Sequence, residues 1–118
     1  MDIQDLKLKL RTFAKERDWD QFHSPKNLAM ALGGEAGELL EHFQWLTDAQ
    51  SRSLNSDAQK LAKISEEVAD ITIYLIRLCD KLNLDLESAV ENKIMANAAK
   101  YPIHLAKGNA TKYTDFRS

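Results

Sequence analysis

Apolar residues recur at intervals of three and four positions along most of the chain, which is the spacing of one face of an α-helix. The first such stripe predicts a helix from Ile3 to about Arg17. Ser24 and Pro25 then give the N-cap and first-turn signal of a second helix, which we expect to run to about Trp45. A short segment without this spacing separates the two helices, and we interpret it as a loop.

Two further helices are predicted after a polar segment that we expect to be irregular or only briefly helical. Ser56-Asp57-Ala58-Gln59 has the form of a capping box and predicts a third helix that ends near Leu82. Asp85 is a good N-cap for a fourth helix, which should end near Lys100 because the residue before Pro102 avoids helical backbone angles. The third helix is apolar on two sides, so we expect its second side to meet another subunit.

These elements predict an all-α protein. The length of 118 residues fits a single domain, residues 1–118, with an irregular tail from about residue 104. Hydrophobic residues make up 44% of the chain and charged residues 29%, a composition typical of soluble globular proteins.

Charge and cysteine content narrow the class of protein further. The formal net charge of -2 gives no overall basic field, so we expect no nucleic-acid polymer as a partner. No apolar run approaches the roughly 20 residues that span a bilayer, so we expect no membrane segment. The single cysteine, Cys79, allows no internal disulfide and fits a reducing compartment. Because the acidic start Met1-Asp2-Ile3-Gln4-Asp5 does not resemble a signal peptide, we expect a cytoplasmic protein.

Two pairs of carboxylates stand on the second and third predicted helices. Glu35 and Glu38 form the first pair, and Glu67 and Asp70 form the second. At ~100° per residue, both pairs lie at the border of the apolar stripe and are displaced in the same sense, so helix packing can bring them to one cleft. Four carboxylates share a partly buried volume only if they bind protons or a cation. The alternative is that all four are solvated surface charges.

The residue types limit which metal such a site can hold. Oxygen ligands without cysteine suit Mg²⁺, with Mn²⁺ as a substitute. The Glu-x-x-His pattern of di-iron bundles is missing, because His42 follows Glu38 by four residues and Ile73 stands three residues after Asp70. Since Mg²⁺ usually keeps coordination positions for phosphate oxygens, the inferred ligand is a phosphorylated small molecule.

Aromatic and basic residues extend this candidate site. Trp45 and Tyr74 fall on the carboxylate edges of their predicted helices, where a ring face can stack on a base. Lys93, Asn97 and Lys100 share one strip of the fourth helix and can meet phosphates, although lysines are mostly solvated. The rival hypothesis is a non-enzymatic helical module that binds a partner through the two-sided third helix, with solvated carboxylates and Trp45 as a contact residue.

The chain resembles the MazG-like nucleoside triphosphate pyrophosphohydrolases of the all-α NTP pyrophosphatase superfamily, and in particular the short branch that includes the dCTP pyrophosphatases. The matching residues extend over nearly the whole chain. They are Arg17-Asp18-Trp19-Asp20-Gln21-Phe22-His23, Pro25-Lys26-Asn27-Leu28, Gly34-Glu35-Ala36-Gly37-Glu38-Leu39, Phe43-Gln44-Trp45, Glu66-Glu67-Val68-Ala69-Asp70-Ile71, Ile73-Tyr74-Leu75, Lys93, Asn97, Lys100-Tyr101-Pro102 and Lys112-Tyr113.

The resemblance implies a four-helix bundle assembled into homodimers or homotetramers. It also implies Mg²⁺-dependent hydrolysis of a nucleoside triphosphate, in particular a deoxynucleotide such as dCTP, to the monophosphate and pyrophosphate, in the role of cleaning the nucleotide pool. The metal ligands that it implies are Glu35, Glu38, Glu67 and Asp70. The residues that it implies around the base are Trp19, His23, Trp45 and Tyr74, and those on the phosphates are Lys93, Asn97 and Lys100.

Two positions depart from the family pattern. Leu10 stands where the nearest branch has a histidine at the base pocket. Lys100 is often arginine in the wider family, and a lysine replaces the arginine fork with a point charge. As a mechanistic hypothesis, Glu35 or Glu38 orients or deprotonates the water that attacks the α-phosphorus, and the sequence leaves open which of the two does so.

Overall fold

The computed structural model describes residues 1–116, and in that range the backbone is helical without any β-strand, which confirms the all-α prediction. The α-helices are α1 (Ile3–Glu16), α2 (Pro25–Glu41), α3 (Asp48–Arg52), α4 (Ala58–Lys81), α5 (Leu86–Lys100) and α6 (Ile103–Ala106). Short 3-10 turns lie at Asp20–Phe22, Leu54–Ser56 and Tyr113–Asp115. Across this described range, none of the helices has the length and apolar character needed to cross a membrane.

Two of the predicted helix starts form as expected. The Ser24 side chain accepts a hydrogen bond from the Asn27 backbone N–H at 3.1 Å, and Pro25 opens α2. Asp85 accepts from the Ser88 backbone N–H at 3.1 Å and caps α5. These caps satisfy backbone donors that the first turn of a helix leaves without a partner, and this explains why both helices begin at these residues.

The helix starts in the middle of the chain differ from the prediction in detail. The third predicted helix corresponds to α4, whose cap is Asp57, accepting from the Lys60 backbone N–H at 3.1 Å. The expected cap at Ser56 is therefore wrong by one residue. The carboxylate of Asp57 also interacts favourably with the positive end of the helix dipole. In the preceding polar segment, Thr47 and Gln50 form a reciprocal capping box that starts the short helix α3.

Helix α2 ends at Glu41, four residues before the predicted end at Trp45. The Phe43 backbone N–H donates to the Leu40 carbonyl at 2.9 Å, and the Leu46 N–H donates to the Phe43 carbonyl at 2.9 Å. These bonds span three residues instead of four, so they tighten the chain and terminate the α-helix. The placement of Trp45 by extending the helical spacing is therefore wrong.

Residues Met1–Leu84 form one compact unit with α4 at its centre. Helix α4 packs against both α1 and α2. The buried apolar side chains of this unit are Ala14, Leu28, Ile64, Ile76 and Cys79. Burial of a leucine or isoleucine side chain stabilises a fold by about 1.5–3 kcal/mol, so these contacts fix α1 and α2 on α4. The packing places α2 beside α4, as the two carboxylate pairs require.

The apolar side chains of α4 differ widely in how far the chain covers them. Ile76 is only 2% exposed, whereas Ile73 is 38% and Val68 48% exposed. The single chain therefore leaves part of the apolar surface of α4 exposed. Contact of the second apolar side of α4 with another subunit stays a prediction.

The residues from Asp85 onward form a second compact unit. It contains α5, α6 and the Tyr113–Asp115 turn, so the tail from about residue 104 is not irregular throughout. The Tyr101 ring meets the rings of Tyr113 and Phe116 edge-on, at centroid distances of 5.9 Å and 5.6 Å. This aromatic cluster ties the end of α5 to the tail. A single domain over residues 1–118 stays a prediction.

Candidate active site

Three carboxylates converge where α2 packs against α4. Glu35 and Glu38 lie one turn apart on α2, and Glu67 lies near them on α4. One carboxylate oxygen from each of the three lies within 4.8 Å of those from the other two. We call these three residues the carboxylate cluster. The predicted meeting of the two acidic helix edges therefore occurs for three of the four carboxylates.

Within the carboxylate cluster, Glu35 has an oxygen that lacks a hydrogen-bond partner in residues 1–116. Its Oε2 is buried and has no hydrogen-bond partner among the described residues. Burial raises the pKa of Glu35, and the neighbouring carboxylates of Glu38, Asp70 and Glu67 raise it further. A buried carboxylate oxygen without a partner is destabilising unless it gains a proton or a cation. The cluster therefore fits a divalent cation, and its hard oxygen donors suit Mg²⁺.

Glu67 is held by a histidine that the sequence analysis did not assign to the site. His42 Nε2 lies 2.9 Å from Glu67 Oε2, and the two side chains are only 23% and 14% exposed. Such a contact fixes the direction of a carboxylate that ligates a metal. The signal was present in the sequence, because His42 follows Glu38 by four residues and so falls on the same edge of the helix.

Asp70 stands apart from the carboxylate cluster and lines a cavity of about 380 Å³, which we call the α1–α4 cavity. Side chains from α1, from the loop after it and from α4 form its walls. They include Leu10, Phe13, Trp19, His23, Asp70 and Tyr74. Since the Asp70 charge also raises the pKa of Glu35, this residue connects the cavity with the cluster. The volume is that of a small-molecule site.

The α1–α4 cavity brings together most of the residues expected around a base. Trp19, His23 and Tyr74 all line it, and so does Leu10, the position that departs from the family pattern. The Trp19 ring meets Phe13 edge-on at 5.7 Å, yet Trp19 remains 45% exposed. One wall of the cavity is therefore the Trp19 ring, which packs on Phe13 and remains accessible to a ligand.

Trp45 is the expected base residue that the structure places elsewhere. It follows the end of α2, is 86% exposed and does not line the α1–α4 cavity. The cause is the early end of α2 at Glu41, after which helical spacing no longer applies. A role for Trp45 in base binding stays a prediction.

The three residues expected on phosphates lie in the second unit. Lys93, Asn97 and Lys100 are exposed side chains of α5. The Lys100 ammonium lies 4.8 Å from the centroid of the Tyr113 ring, a cation–π contact that holds the end of α5 to the tail. Contact of these residues with a triphosphate stays a prediction.

A buried arginine at the α1–α4 cavity was not predicted from the sequence. Arg77 is 3% exposed and donates hydrogen bonds to Asp20 Oδ1 at 3.0 Å and to His23 Nδ1 at 3.3 Å. Asp80 Oδ2 lies 3.6 Å from its Nη1 and also accepts from Arg11 Nε at 2.7 Å. Hydrogen bonding to Arg11 holds the pKa of Asp80 below its usual range. A charged residue seven positions after Asp70, within an apolar stretch of a helix, was the available signal.

The residues of the first unit thus combine a carboxylate cluster that fits a cation with a cavity that has an aromatic wall. Asp70 belongs to the walls of the cavity and lies close enough to Glu35 to affect its pKa. A phosphorylated ligand with a flat ring can place its ring against Trp19 and its phosphates toward the carboxylates through a shared divalent cation. This arrangement supports chemistry on a nucleotide more directly than it supports a surface for protein contact.

Comparison with known proteins agrees with this chemistry. A family profile described as the MazG-like family matches residues 31–116. The chain is 44% identical over 113 residues to dCTP pyrophosphatase 1 of Rattus norvegicus and 42% identical over 113 residues to that of Homo sapiens. Each alignment covers 96% of this chain and 66% of the relative, so the chain spans slightly less than two thirds of the length of these relatives.

A solved structure extends the similarity to three dimensions. The crystal structure of a pyrophosphatase from Archaeoglobus fulgidus superposes with a TM-score of 0.75 at 39% sequence identity. The superposition covers 84% of this chain and 91% of that one. The resemblance inferred from the sequence motifs is therefore confirmed at the level of the family.

Proposed function

Because the chain belongs to the MazG-like family, we propose that it is a Mg²⁺-dependent nucleoside triphosphate pyrophosphohydrolase. Its substrate is a deoxynucleotide such as dCTP, and its products are the monophosphate and pyrophosphate. The observation that carries this proposal is the buried Glu35 oxygen without a partner, within the carboxylate cluster and close to the α1–α4 cavity. The relatives named dCTP pyrophosphatase 1 support the reaction and the nucleotide class.

In this proposal all four carboxylates hold the metal, and one of them also orients the attacking water. Glu35, Glu38, Glu67 and Asp70 would hold Mg²⁺, which when bound neutralises charge on the triphosphate oxygens and the departing pyrophosphate. Glu35 is half-buried with a buried Oε2 and suits a ligand role, whereas Glu38 is exposed and can contact solvent water. We assign to Glu38 the orientation and deprotonation of the water that attacks the α-phosphorus. His42 keeps the Glu67 carboxylate in one orientation.

The α1–α4 cavity receives the base. Trp19 and Tyr74 offer ring faces for stacking, which holds a base with little regard to its identity and contributes about 1–3 kcal/mol per base. Leu10 adds an apolar contact where a polar side chain is expected from the nearest branch. Identification of the base then depends on the polar residues of the cavity, among which is His23.

Residues outside the cavity complete the proposed site. Lys93, Asn97 and Lys100 offer donors and positive charge to the triphosphate, with Trp45 as an additional contact to the base. A four-helix bundle assembled into a homodimer or homotetramer would cover exposed apolar residues of α4 such as Val68, which is 48% exposed. We further propose that the enzyme acts in the cytoplasm, where it removes surplus or non-standard deoxynucleotides.

Incubation of the protein with each of the common dNTPs and NTPs in the presence of Mg²⁺ tests this function. We expect a nucleoside monophosphate and pyrophosphate from at least one deoxynucleotide, and no product after chelation of the metal. Release of orthophosphate would instead indicate a phosphatase. No product from any nucleotide, with correctly folded protein, would favour the non-enzymatic helical module.

A further inference from the structure

The end of the α1–α4 cavity formed by His23 and Arg77 has a defined hydrogen-bond polarity. Arginine has five N–H donors and no acceptor, and it stays protonated in proteins. Both Nε and Nη2 of Arg77 lie 3.3 Å from His23 Nδ1. His23 Nδ1 must therefore be the acceptor in this contact, because a protonated Nδ1 would place two donors against each other.

This contact determines where His23 has its remaining proton. Because Nδ1 accepts from Arg77, the ring cannot have a proton on both nitrogens and is neutral in this contact. Burial lowers the pKa of His23, and the positive charge of Arg77 lowers it further, which acts in the same sense. A neutral imidazole has one N–H, and with Nδ1 as the acceptor that N–H is at Nε2. Within residues 1–116, Nε2 makes no hydrogen bond, and the ring lines the cavity. His23 is thus a donor available to a ligand.

The position of Arg77 is fixed independently of any ligand. Its side chain is 3% exposed, and Nη2 is bonded to Asp20 Oδ1 at 3.0 Å. Lys81 Nζ holds the same Asp20 oxygen at 2.5 Å. A guanidinium restrained in this way cannot turn its N–H donors away from His23, so it imposes one tautomer of the imidazole.

We propose that Arg77 is a positioning residue for base recognition: it fixes His23 as the Nε2–H tautomer, so that this end of the cavity offers the base hydrogen-bond donors. The inference rests on the proposed nucleotide pyrophosphohydrolase function and deepens it. The substrate class that it specifies is a nucleotide whose base places a carbonyl oxygen or an unprotonated ring nitrogen against His23. A base that places an exocyclic amino group there would set donor against donor and be rejected.

The tautomer itself can be measured without any substrate. Long-range ¹H–¹⁵N correlation spectra of the wild-type protein distinguish the protonated ring nitrogen from the unprotonated one, and His23→Asn identifies the His23 signals. We expect a neutral Nε2–H imidazole for His23 at neutral pH. A neutral Nδ1–H imidazole, or a mixture of the two tautomers, would overturn the proposal whatever the activity of the enzyme.

A double-mutant cycle separates positioning from mere structural support. A glutamine at position 23 places its own amide donor near the position of Nε2 and does not need Arg77 to set a tautomer. The readout is kcat/KM for the preferred nucleotide divided by kcat/KM for deoxyribose triphosphate without a base. We expect Arg77→Met to lower this ratio about 3- to 10-fold in the wild type, the worth of one hydrogen bond, and by less in His23→Gln.

Two control variants, His23→Asn and Arg52→Met, make the cycle decisive. His23→Asn, which keeps an acceptor near Nδ1 but has no donor near Nε2, should lower the ratio more than His23→Gln does. Arg52→Met removes the same charge from an exposed pair on α3 and should leave the ratio unchanged. An equal effect of Arg77→Met in both backgrounds would show a structural role and contradict the proposal. A wild-type protein that hydrolyses no nucleotide would refute the proposed function, while the tautomer measurement would still decide the role of Arg77.

Discussion

The carboxylate cluster and the residues around Arg77, both in the first unit, differ in how their charges are arranged. In the carboxylate cluster, Glu35, Glu38 and Glu67 bring like charges together, and a buried oxygen of Glu35 has no partner. Around Arg77, positive and negative groups alternate, so that Asp80 lies between Arg77 and Arg11. In the proposed function a bound cation offsets the charge of the first region, whereas in the second region oppositely charged side chains pair with one another. In the proposed function, this difference separates the residues assigned to the reaction from those that maintain the shape of the cavity.

The largest expected effect comes from removing one charge of the carboxylate cluster. Glu38→Gln should reduce kcat at least about 100-fold, because it removes the group assigned to the attacking water. The fold should be retained, since Glu38 is exposed. Steady-state kinetics with Mg²⁺ and the preferred dNTP provide the measurement. Glu41→Gln, an exposed carboxylate three residues further along α2, is the control and should remain near wild type.

Cation binding should stabilise the carboxylate cluster in a pH-dependent way. The raised pKa of Glu35 means that its contribution to stability is present below its ordinary carboxyl pKa of 4.5 and is lost as pH rises through the raised value. Mg²⁺ should offset that loss, by about 2.7 kcal/mol at 100 times Kd. Thermal unfolding with and without Mg²⁺ at several pH values gives the result. A shift in Tm that does not grow as pH rises from below 4.5 would contradict the assignment.

The ion pairs around Arg77 should instead lose stability when one charged partner is removed. Asp80→Asn removes a largely buried carboxylate, 6% exposed, that pairs with both Arg11 and Arg77. We expect the free energy of unfolding to fall by about 2 kcal/mol, the usual cost of losing hydrogen bonds to a charged group. Asp48→Asn, from the exposed pair with Arg52, should change it by less than about 1 kcal/mol in the same denaturant titration.

Acid should remove the same stabilisation from Asp80. Because its pKa is lowered in the folded protein, Asp80 stabilises the fold above its ordinary pKa of 3.8, and this contribution is lost as pH falls through the lowered value. Unfolding titrations of wild type and Asp80→Asn should therefore converge below pH 3.8. Curves that stay parallel throughout the range below pH 3.8 would assign the stabilisation to something other than the charge of Asp80.

The smallest expected effect lies in the aromatic wall of the cavity. Trp19→Ala should raise KM about 5- to 20-fold with little change in kcat, because stacking holds substrate and transition state alike. Trp45→Ala should have a smaller effect, since Trp45 lies outside the α1–α4 cavity and is 86% exposed. An equal or larger effect of Trp45→Ala would place that ring at the base and correct the boundary of the cavity.

Local rules predicted the elements of this fold better than their ends. Ser24 and Asp85 cap helices as expected, because an N-cap depends on residues within one turn of it. The end of α2 was not predicted. The backbone hydrogen bonds after Glu41 that span three residues do not change the spacing of apolar residues in the sequence. The same limit explains Trp45, whose position was extrapolated from a helix that ends before it.

The candidate site was predictable where helix spacing alone decides it. Glu35, Glu38 and Glu67 came together because their place at the border of the apolar stripe is a property of each helix. Arg77 was missed, because its partners Asp20 and His23 lie more than 50 residues earlier in the chain. Only packing of the loop after α1 against α4 brings them into contact, and sequence spacing does not report such long-range contacts.

Hydrolysis in ¹⁸O-labelled water tests the central claim most directly. With Mg²⁺ and the preferred deoxynucleotide, attack of water on the α-phosphorus should place the label in the nucleoside monophosphate and none in pyrophosphate, as read by mass spectrometry. The same experiment with Glu38→Gln should yield little of either product. Label in pyrophosphate, or release of orthophosphate, would show that the bond or the phosphorus attacked is not the one proposed.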